Sequence, residues 1–311
     1  MTRTLRAGVA GAGVFGGHHA RKYASLPDVE LVGVYDRGTG RALTLAEELG
    51  VPGFTDLDAF LDCVDMATIA APAVTHMELA WAALDHGLHV YVEKPLASTL
   101  HGARALTAKA AERRLVLACG HQERAVFAAM GLFDAPERPT RIEAVRRNTH
   151  TGRGADVSVV LDLMIHDLDL ALSLSSGQPG SVNGVTGVTT GPFADSARAD
   201  ISFDDGMSVR LEADRDAPQR ERTMRLVYPS GELEIDFLAR TFSNTTGFTL
   251  EPDFAETPEG RDPLGTSVAA FVAAVRGERP RPLVTGEDAA RALELALVVE
   301  RSASLTPPPP A

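Results

Sequence analysis

Short apolar runs and helical stretches alternate along the first third of the chain. Residues 5–10, 31–35, 66–70, 89–92 and 115–118 are apolar runs of strand length, apolar on both faces. Residues 17–25, 41–49, 76–85 and 100–113 lie between them and carry apolar positions at helical spacing. Strand and helix in strict alternation predict a doubly wound parallel sheet. From Arg141 the pattern changes to longer segments at residues 196–203, 207–213 and 223–237, in which apolar and polar positions alternate. Asp204-Asp205-Gly206 and Pro229-Ser230-Gly231 supply turns between or within them, which predicts hairpins and an antiparallel sheet. The change of style sets the expected boundary near Gly120, giving domains 1–120 and 121–311, with a frayed tail at Pro307–Pro310.

Composition narrows the class. A chain of 311 residues suits two domains. Apolar residues make up 44%, yet no uninterrupted apolar run approaches the ~20 residues needed to cross a bilayer, so no membrane association is expected. The first strand begins within a few residues of Met1, which leaves no room for a secretory signal. Cys63 and Cys119 both sit in apolar settings and read as reduced thiols, so the expected location is cytoplasmic. The formal charge of -12 argues against a nucleic-acid partner.

Chemistry enters where the first run ends. Gly11-Ala12-Gly13-Val14-Phe15-Gly16 follows a strand and precedes a helix, and Asp36 closes the next strand about 20 residues later. Gly11 permits the tight turn, Gly13 keeps side chains away from a phosphate, and Gly16 lets helix and strand approach. Helix N-terminal amides can then receive a pyrophosphate. Asp36 can accept from ribose hydroxyls and would repel a 2′-phosphate, which predicts NAD rather than NADP. Arg37 leaves NADP open, since an arginine there can stack on adenine or approach a 2′-phosphate.

Glu93-Lys94-Pro95 follows the run 89–92, hence the carboxyl edge of the sheet, where such sheets place ligands. Lys94 there can stabilise negative charge developing on a substrate oxygen. Further on, residues 159–172 read as a buried helix interrupted by ionisable groups. At about 100° per residue, Asp162, His166 and Asp169 fall within roughly 60° of arc, while Asp167 lies on another face. Such a stripe needs a wet cavity, mutual pairing or a ligand. His166 is the natural proton acceptor near neutral pH, with Asp162 one turn earlier. Asp169 reads as the most structural of the three. A structural stripe at a domain boundary is the alternative. Metal binding is disfavoured, because no His pair or third soft ligand is nearby.

These motifs resemble the Gfo/Idh/MocA oxidoreductases, which pair a Rossmann domain with a substrate domain built on a large, open, mostly antiparallel sheet. The resemblance rests on Gly11-x-Gly13-x-x-Gly16, Ala71-Pro72 with Thr75-His76, Glu93-Lys94-Pro95 and Asp162-x-x-x-His166-x-x-Asp169, and extends through residues 271–297. It implies an α/β fold and cofactor contacts from Gly11, Gly13, Val14, Phe15, Gly16, Asp36, Arg37, Ala71, Pro72, His76, Glu93 and Lys94. It also implies catalysis by Lys94, Asp162 and His166, the histidine removing a hydroxyl proton while hydride leaves the same carbon. Leu161–Asp169 and Gly120-His121-x-Glu123-Arg124 are similar to the nucleotide-sugar branch, the UDP-N-acetylglucosamine 3-dehydrogenases, so His121 and Arg124 join the expected substrate contacts. The chain departs from that branch at Ala125-Val126-Phe127-Ala128, where such relatives often continue Phe-Asn-Pro-Ala.

Between Glu143 and Asp156 the chain carries Arg146, Arg147, His150 and Arg153 without an acid. In so acidic a protein such a segment suits a diphosphate, which arginine forks grip in bidentate fashion. The alternative is that Arg146 and Arg147 alternate across a strand. The expected activity is oxidation of a secondary alcohol on a sugar ring, at C3 of a nucleotide sugar such as UDP-N-acetylglucosamine. A dehydrogenase of free sugar, inositol or polyol, and a non-catalytic NAD-binding regulator, are the competing readings. The open sheet face leads to an expected homodimer or homotetramer.

Overall fold

A computed structural model describes residues 3–149, 156–189 and 192–305. Two compact units emerge, Met1–Ala125 with Asp262–Ala290, and Val126–Arg261 with Arg291–Ala311. The single cut near Gly120 is therefore replaced by a chain that leaves the first unit and returns to it.

In unit 1 the expected alternation is realised. Strands β1 (Leu5–Ala10) and β2 (Val29–Tyr35) flank helix α1 (Val14–Ser25). Then follow α2 (Thr39–Leu49), β3 (Gly53–Phe54), α3 (Leu57–Leu61), β4 (Met66–Ile69), α4 (His76–Asp85), β5 (His89–Val92), α5 (Leu100–Arg113) and β6 (Leu117–Cys119). The strand order is β3-β2-β1-β4-β5-β6 with every pairing parallel. Strand order reverses between β1 and β4, so the crevice for a ligand opens at their carboxyl ends. Helix α5 is bounded by local signals, since Thr99 caps its first turn and Arg114 ends it in the left-handed conformation.

The chain reaches α6 (Glu123–Met130) and passes into unit 2, through β7 (Arg141–Arg147) and helix α7 (Ile165–Leu174). Strands β8 (Pro179–Gly187), β9 (Ser196–Phe203), β10 (Ser208–Asp214), β11 (Glu221–Tyr228), β12 (Gly231–Asp236) and β13 (Thr241–Asn244) follow. After the short helix α8 (Pro258–Arg261) come α9 (Pro263–Val275), α10 (Gly286–Ser302) and β14 (Ser304–Leu305). The second sheet has the order β13-β12-β11-β7-β10-β9-β8-β14 and is mixed, with β7–β10 and β8–β14 parallel and the other pairs antiparallel. One face is apolar and buried. The other carries cross-strand ion pairs, including Arg225 with Glu143 and Glu232, and Arg210 with Asp200.

Helix α9 explains the return to unit 1. Its apolar face sends Val268, Phe271 and Val272 into the core around Tyr23, Val34, Met66 and Tyr91. Ser267 accepts or donates a hydrogen bond with the buried Tyr91 hydroxyl at 3.0 Å, and Lys22 pairs with Asp262 at the helix start. Among the described residues no helix is long and apolar enough to cross a membrane.

Candidate active site

Every motif of unit 1 lies at the carboxyl edge of its sheet. Gly11 follows β1 with φ 113°, and a Cβ there would meet the Ala70 carbonyl oxygen at 2.3 Å. A Cβ on Gly16 would fall 1.7 Å from the Gly11 carbonyl oxygen. Both positions therefore require glycine for close approach. Gly13 differs, because nothing lies within 4 Å of where its side chain would begin. The space over the α1 N-terminus is open, and a side chain at Gly13 would stand in it. No side chain caps α1 and no acid occupies its first turn, so its amides are suited to a pyrophosphate. Val14 and Phe15 are exposed on that turn.

Asp36 has backbone partners of its own. Its carboxylate accepts from the Ala12 amide at 2.9 Å and the Gly38 amide at 2.8 Å, tying the glycine turn to the end of β2. Burial pushes its pKa up, but the two amides and Arg41 outweigh burial and hold it below the usual carboxylate range. It stays anionic at neutral pH. Arg37, which the sequence leaves open, is drawn 2.6 Å from Glu78 in the first turn of α4. That pair is exposed and contributes at most about 1 kcal/mol. We expect Asp36→Asn to narrow the preference for NADH over NADPH by about tenfold, as measured by the two dissociation constants.

Ala71 and Pro72 follow β4 at the same edge, beside the Gly11 turn. His76 begins α4 but is buried, with Nδ1 2.7 Å from the Pro95 carbonyl oxygen and Nε2 2.8 Å from that of Ala71. Burial pulls its pKa below the ordinary histidine value, against the pull of those two carbonyls. His76 thus braces two loops from behind. Glu93 is likewise buried, and His19 Nε2 donates to its Oε1 at 2.7 Å. Lys94 is half-buried and the Lys94–Pro95 peptide is cis.

In unit 2, the helix predicted over 159–172 opens with a π turn, Val160–Met164, before α7. The Ile165 amide reaches back five residues to the Val160 carbonyl. Such turns are rare and recur at functional sites. Burial along this segment is informative. From Val157 to Leu172 every residue is buried except Asp162 and His166, both half-buried. Two ionisable groups four residues apart are the openings in an otherwise buried segment. Asp169, which shares their arc, is 1% exposed and interior. Among the described residues no group of three His, Cys, Asp or Glu side chains could hold a metal ion.

The expected basic grip takes another form. Arg146 is buried, with Nε 2.9 Å and Nη2 2.8 Å from the two oxygens of Asp167, a forked pair inside unit 2. It points inward because β7 alternates, Ile142, Ala144 and Arg146 facing the core and Arg147 the outer face. Arg147 pairs there with Glu212 and Glu221. The two arginines alternate across the strand, and the reading of Arg146 as a diphosphate ligand gives way to a structural one. His150 and Arg153 lie outside the described residues. His121 and Arg124 are buried in unit 1, and Arg124 lies 3.4 Å from Asp288. The pairings of Arg146 with Asp167 and of His19 with Glu93 are not among the sequence expectations. Two buried charges of opposite sign in apolar runs are the signal that could have found the first.

Fold and site together define a nicotinamide-dependent dehydrogenase. Residues 5–121 match the model described as an oxidoreductase family with an NAD-binding Rossmann fold, and residues 126–234 match the GFO/IDH/MocA C-terminal domain. The chain belongs to the Gfo/Idh/MocA oxidoreductase family. It is 35% identical over 284 residues to the UDP-N-acetylglucosamine 3-dehydrogenase of Acidithiobacillus ferrooxidans, covering 89% of this chain and 90% of that protein. A solved structure of that enzyme superposes with a TM-score of 0.89 at 34% identity, over 97% of this chain and 98% of the other. The scyllo-inositol 2-dehydrogenase (NAD(+)) of Bacillus subtilis is 27% identical, covering 97% of this chain and 95% of that protein. GenD2 from gentamicin A biosynthesis, solved in complex with NAD, superposes with a TM-score of 0.82 at 25% identity, over 97% and 95% of the two chains. The protein is an NAD-binding enzyme acting on CH–OH groups.

Proposed function

We propose that this enzyme oxidises a secondary hydroxyl of a sugar ring, at C3 of a nucleotide sugar such as UDP-N-acetylglucosamine. The observation that carries the chemistry is the buried segment of unit 2 that opens only at Asp162 and His166. NAD, when bound, supplies the acceptor for hydride. The α1 turn and Asp36 would hold the cofactor. Lys94 donates to the reacting oxygen and stabilises negative charge there. His166 takes the hydroxyl proton, a role suited to imidazole near neutral pH, and Asp162 positions the substrate or the ring. The choice of a nucleotide sugar is supported by similarity to the Acidithiobacillus enzyme along nearly the whole chain.

One observation favours a second reading. Arg146 and Arg147 are both engaged by acids of unit 2, which speaks against a diphosphate as their partner. With similarity to an inositol dehydrogenase over 97% of the chain, this supports an uncharged polyol as substrate. NADH formation across UDP-sugars, free hexoses and inositols separates the two. Turnover confined to UDP-sugars supports our reading, and a preference for inositols overturns it.

A further inference from the structure

Lys94 sits in a turn whose two neighbours are both anchored by buried histidines. On its carboxyl side the Pro95 carbonyl faces His76 Nδ1 at 2.7 Å. On its amino side, Glu93 Oε1 accepts from His19 Nε2 at 2.7 Å and from Gln122 Nε2 at 3.3 Å. His19 is fully buried in α1, two turns after the glycine motif begins, against the Tyr91 ring at 5.0 Å. Its Nδ1 is buried without a hydrogen-bond partner among the described residues. A proton there would be unsatisfied, so the ring carries its proton on Nε2 and donates to the carboxylate.

The surroundings are shaped for that carboxylate. A Cβ on Gly120 would lie 2.7 Å from Glu93 Oε2, so glycine leaves the room the acid occupies. Burial pushes the Glu93 pKa up, but the His19 hydrogen bond and the nearby Lys94 ammonium bring it below the ordinary value. A buried carboxylate deprived of its donor seeks the nearest cation, and the cation acting on this one is Lys94.

We propose that His19 is a positioning residue for Lys94, acting through Glu93: it satisfies the buried carboxylate so that the Lys94 ammonium serves the substrate. This rests on the role assigned to Lys94 above. In His19→Ala the carboxylate recruits Lys94, and turnover falls by about 100-fold, the usual consequence of misplacing a reacting group by an ångström. NADH binding, followed by its fluorescence, stays within a factor of about 3, so the loss appears in kcat. His19→Gln, which keeps a donor at similar reach, restores most of the rate.

The deciding experiment is a double-mutant cycle in single turnover among wild type, His19→Ala, Lys94→Ala and the double variant, with NADH affinity and Tm measured on each. The proposal expects no further loss from His19→Ala once Lys94 is gone. Equal loss in both backgrounds, or full activity in His19→Ala beside an inactive Lys94→Ala, overturns it. Near wild-type turnover in Lys94→Ala instead sinks the reading of Lys94 itself. Should His19→Ala not fold, His19→Asn, whose amide is too short to reach Glu93, takes its place in the same cycle, and an equal loss from it with and without Lys94 overturns the proposal.

Discussion

Replacing Lys94 by alanine stops turnover while NAD still binds. The lysine follows β5 at the edge where the glycine turn and Asp36 also lie, and that turn and the end of β2, which would hold the cofactor, are untouched by the substitution. Removing one preorganised donor to a developing oxyanion lowers kcat by about 100- to 1000-fold. The substitution opens no cavity in the core, because Lys94 is half-buried and its anchored neighbours Glu93 and Pro95 are unchanged. Steady-state kinetics beside NADH titration tests this. A kcat within a factor of about 10 of wild type contradicts the assignment.

The second large effect is on stability. Arg146→Ala leaves Asp167, 3% exposed, as a buried charge stripped of its forked partner. Breaking such a pair destabilises by about 3–5 kcal/mol, whereas replacing both members with apolar residues is often neutral. Urea unfolding should therefore show a large loss for Arg146→Ala and recovery in Arg146→Met with Asp167→Leu. A loss under about 1 kcal/mol for the single variant means the pair is not held as described. The same experiment addresses the substrate. If Arg146 grips a diphosphate instead, its removal raises KM and leaves unfolding unchanged.

What could be read from the sequence follows the range of the interactions involved. Helices 76–85 and 100–113 and strand 89–92 match the structure residue for residue, because caps, turns and apolar spacing are local signals. Helix α1 starts at Val14 rather than Gly17, since the glycine turn itself already bears helical backbone. The return of α9 to unit 1 escapes such a reading. It depends on Phe271 and Val268 meeting Tyr91 and Met66 nearly 200 residues earlier. The π turn also escapes it, and with it the burial that separates Asp169 from Asp162 and His166. Arg146 shows the same limit at closer range. Its charge is plain in the sequence, but the face it takes is set by the register of β7 between β10 and β11.

The glycine motif, by contrast, was legible in mechanism as well as position. Gly11 and Gly16 meet backbone where their Cβ would stand, and Gly13 borders open space. Asp36 adds a role the spacing does not reveal, as the acceptor that fixes Ala12 and Gly38 around it. The two histidines behind Lys94 had no local signal either, because each contact joins separate strands and helices of one sheet edge.

The central claim is that NAD here takes a hydride from a sugar carbon. The most direct test is to incubate the enzyme with NAD and UDP-N-acetylglucosamine deuterated at C3, and to follow the label by mass spectrometry. We predict that deuterium leaves the sugar and appears in the reduced nicotinamide. Retention of deuterium at C3 with unlabelled NADH, or with no NADH formed, would contradict the account.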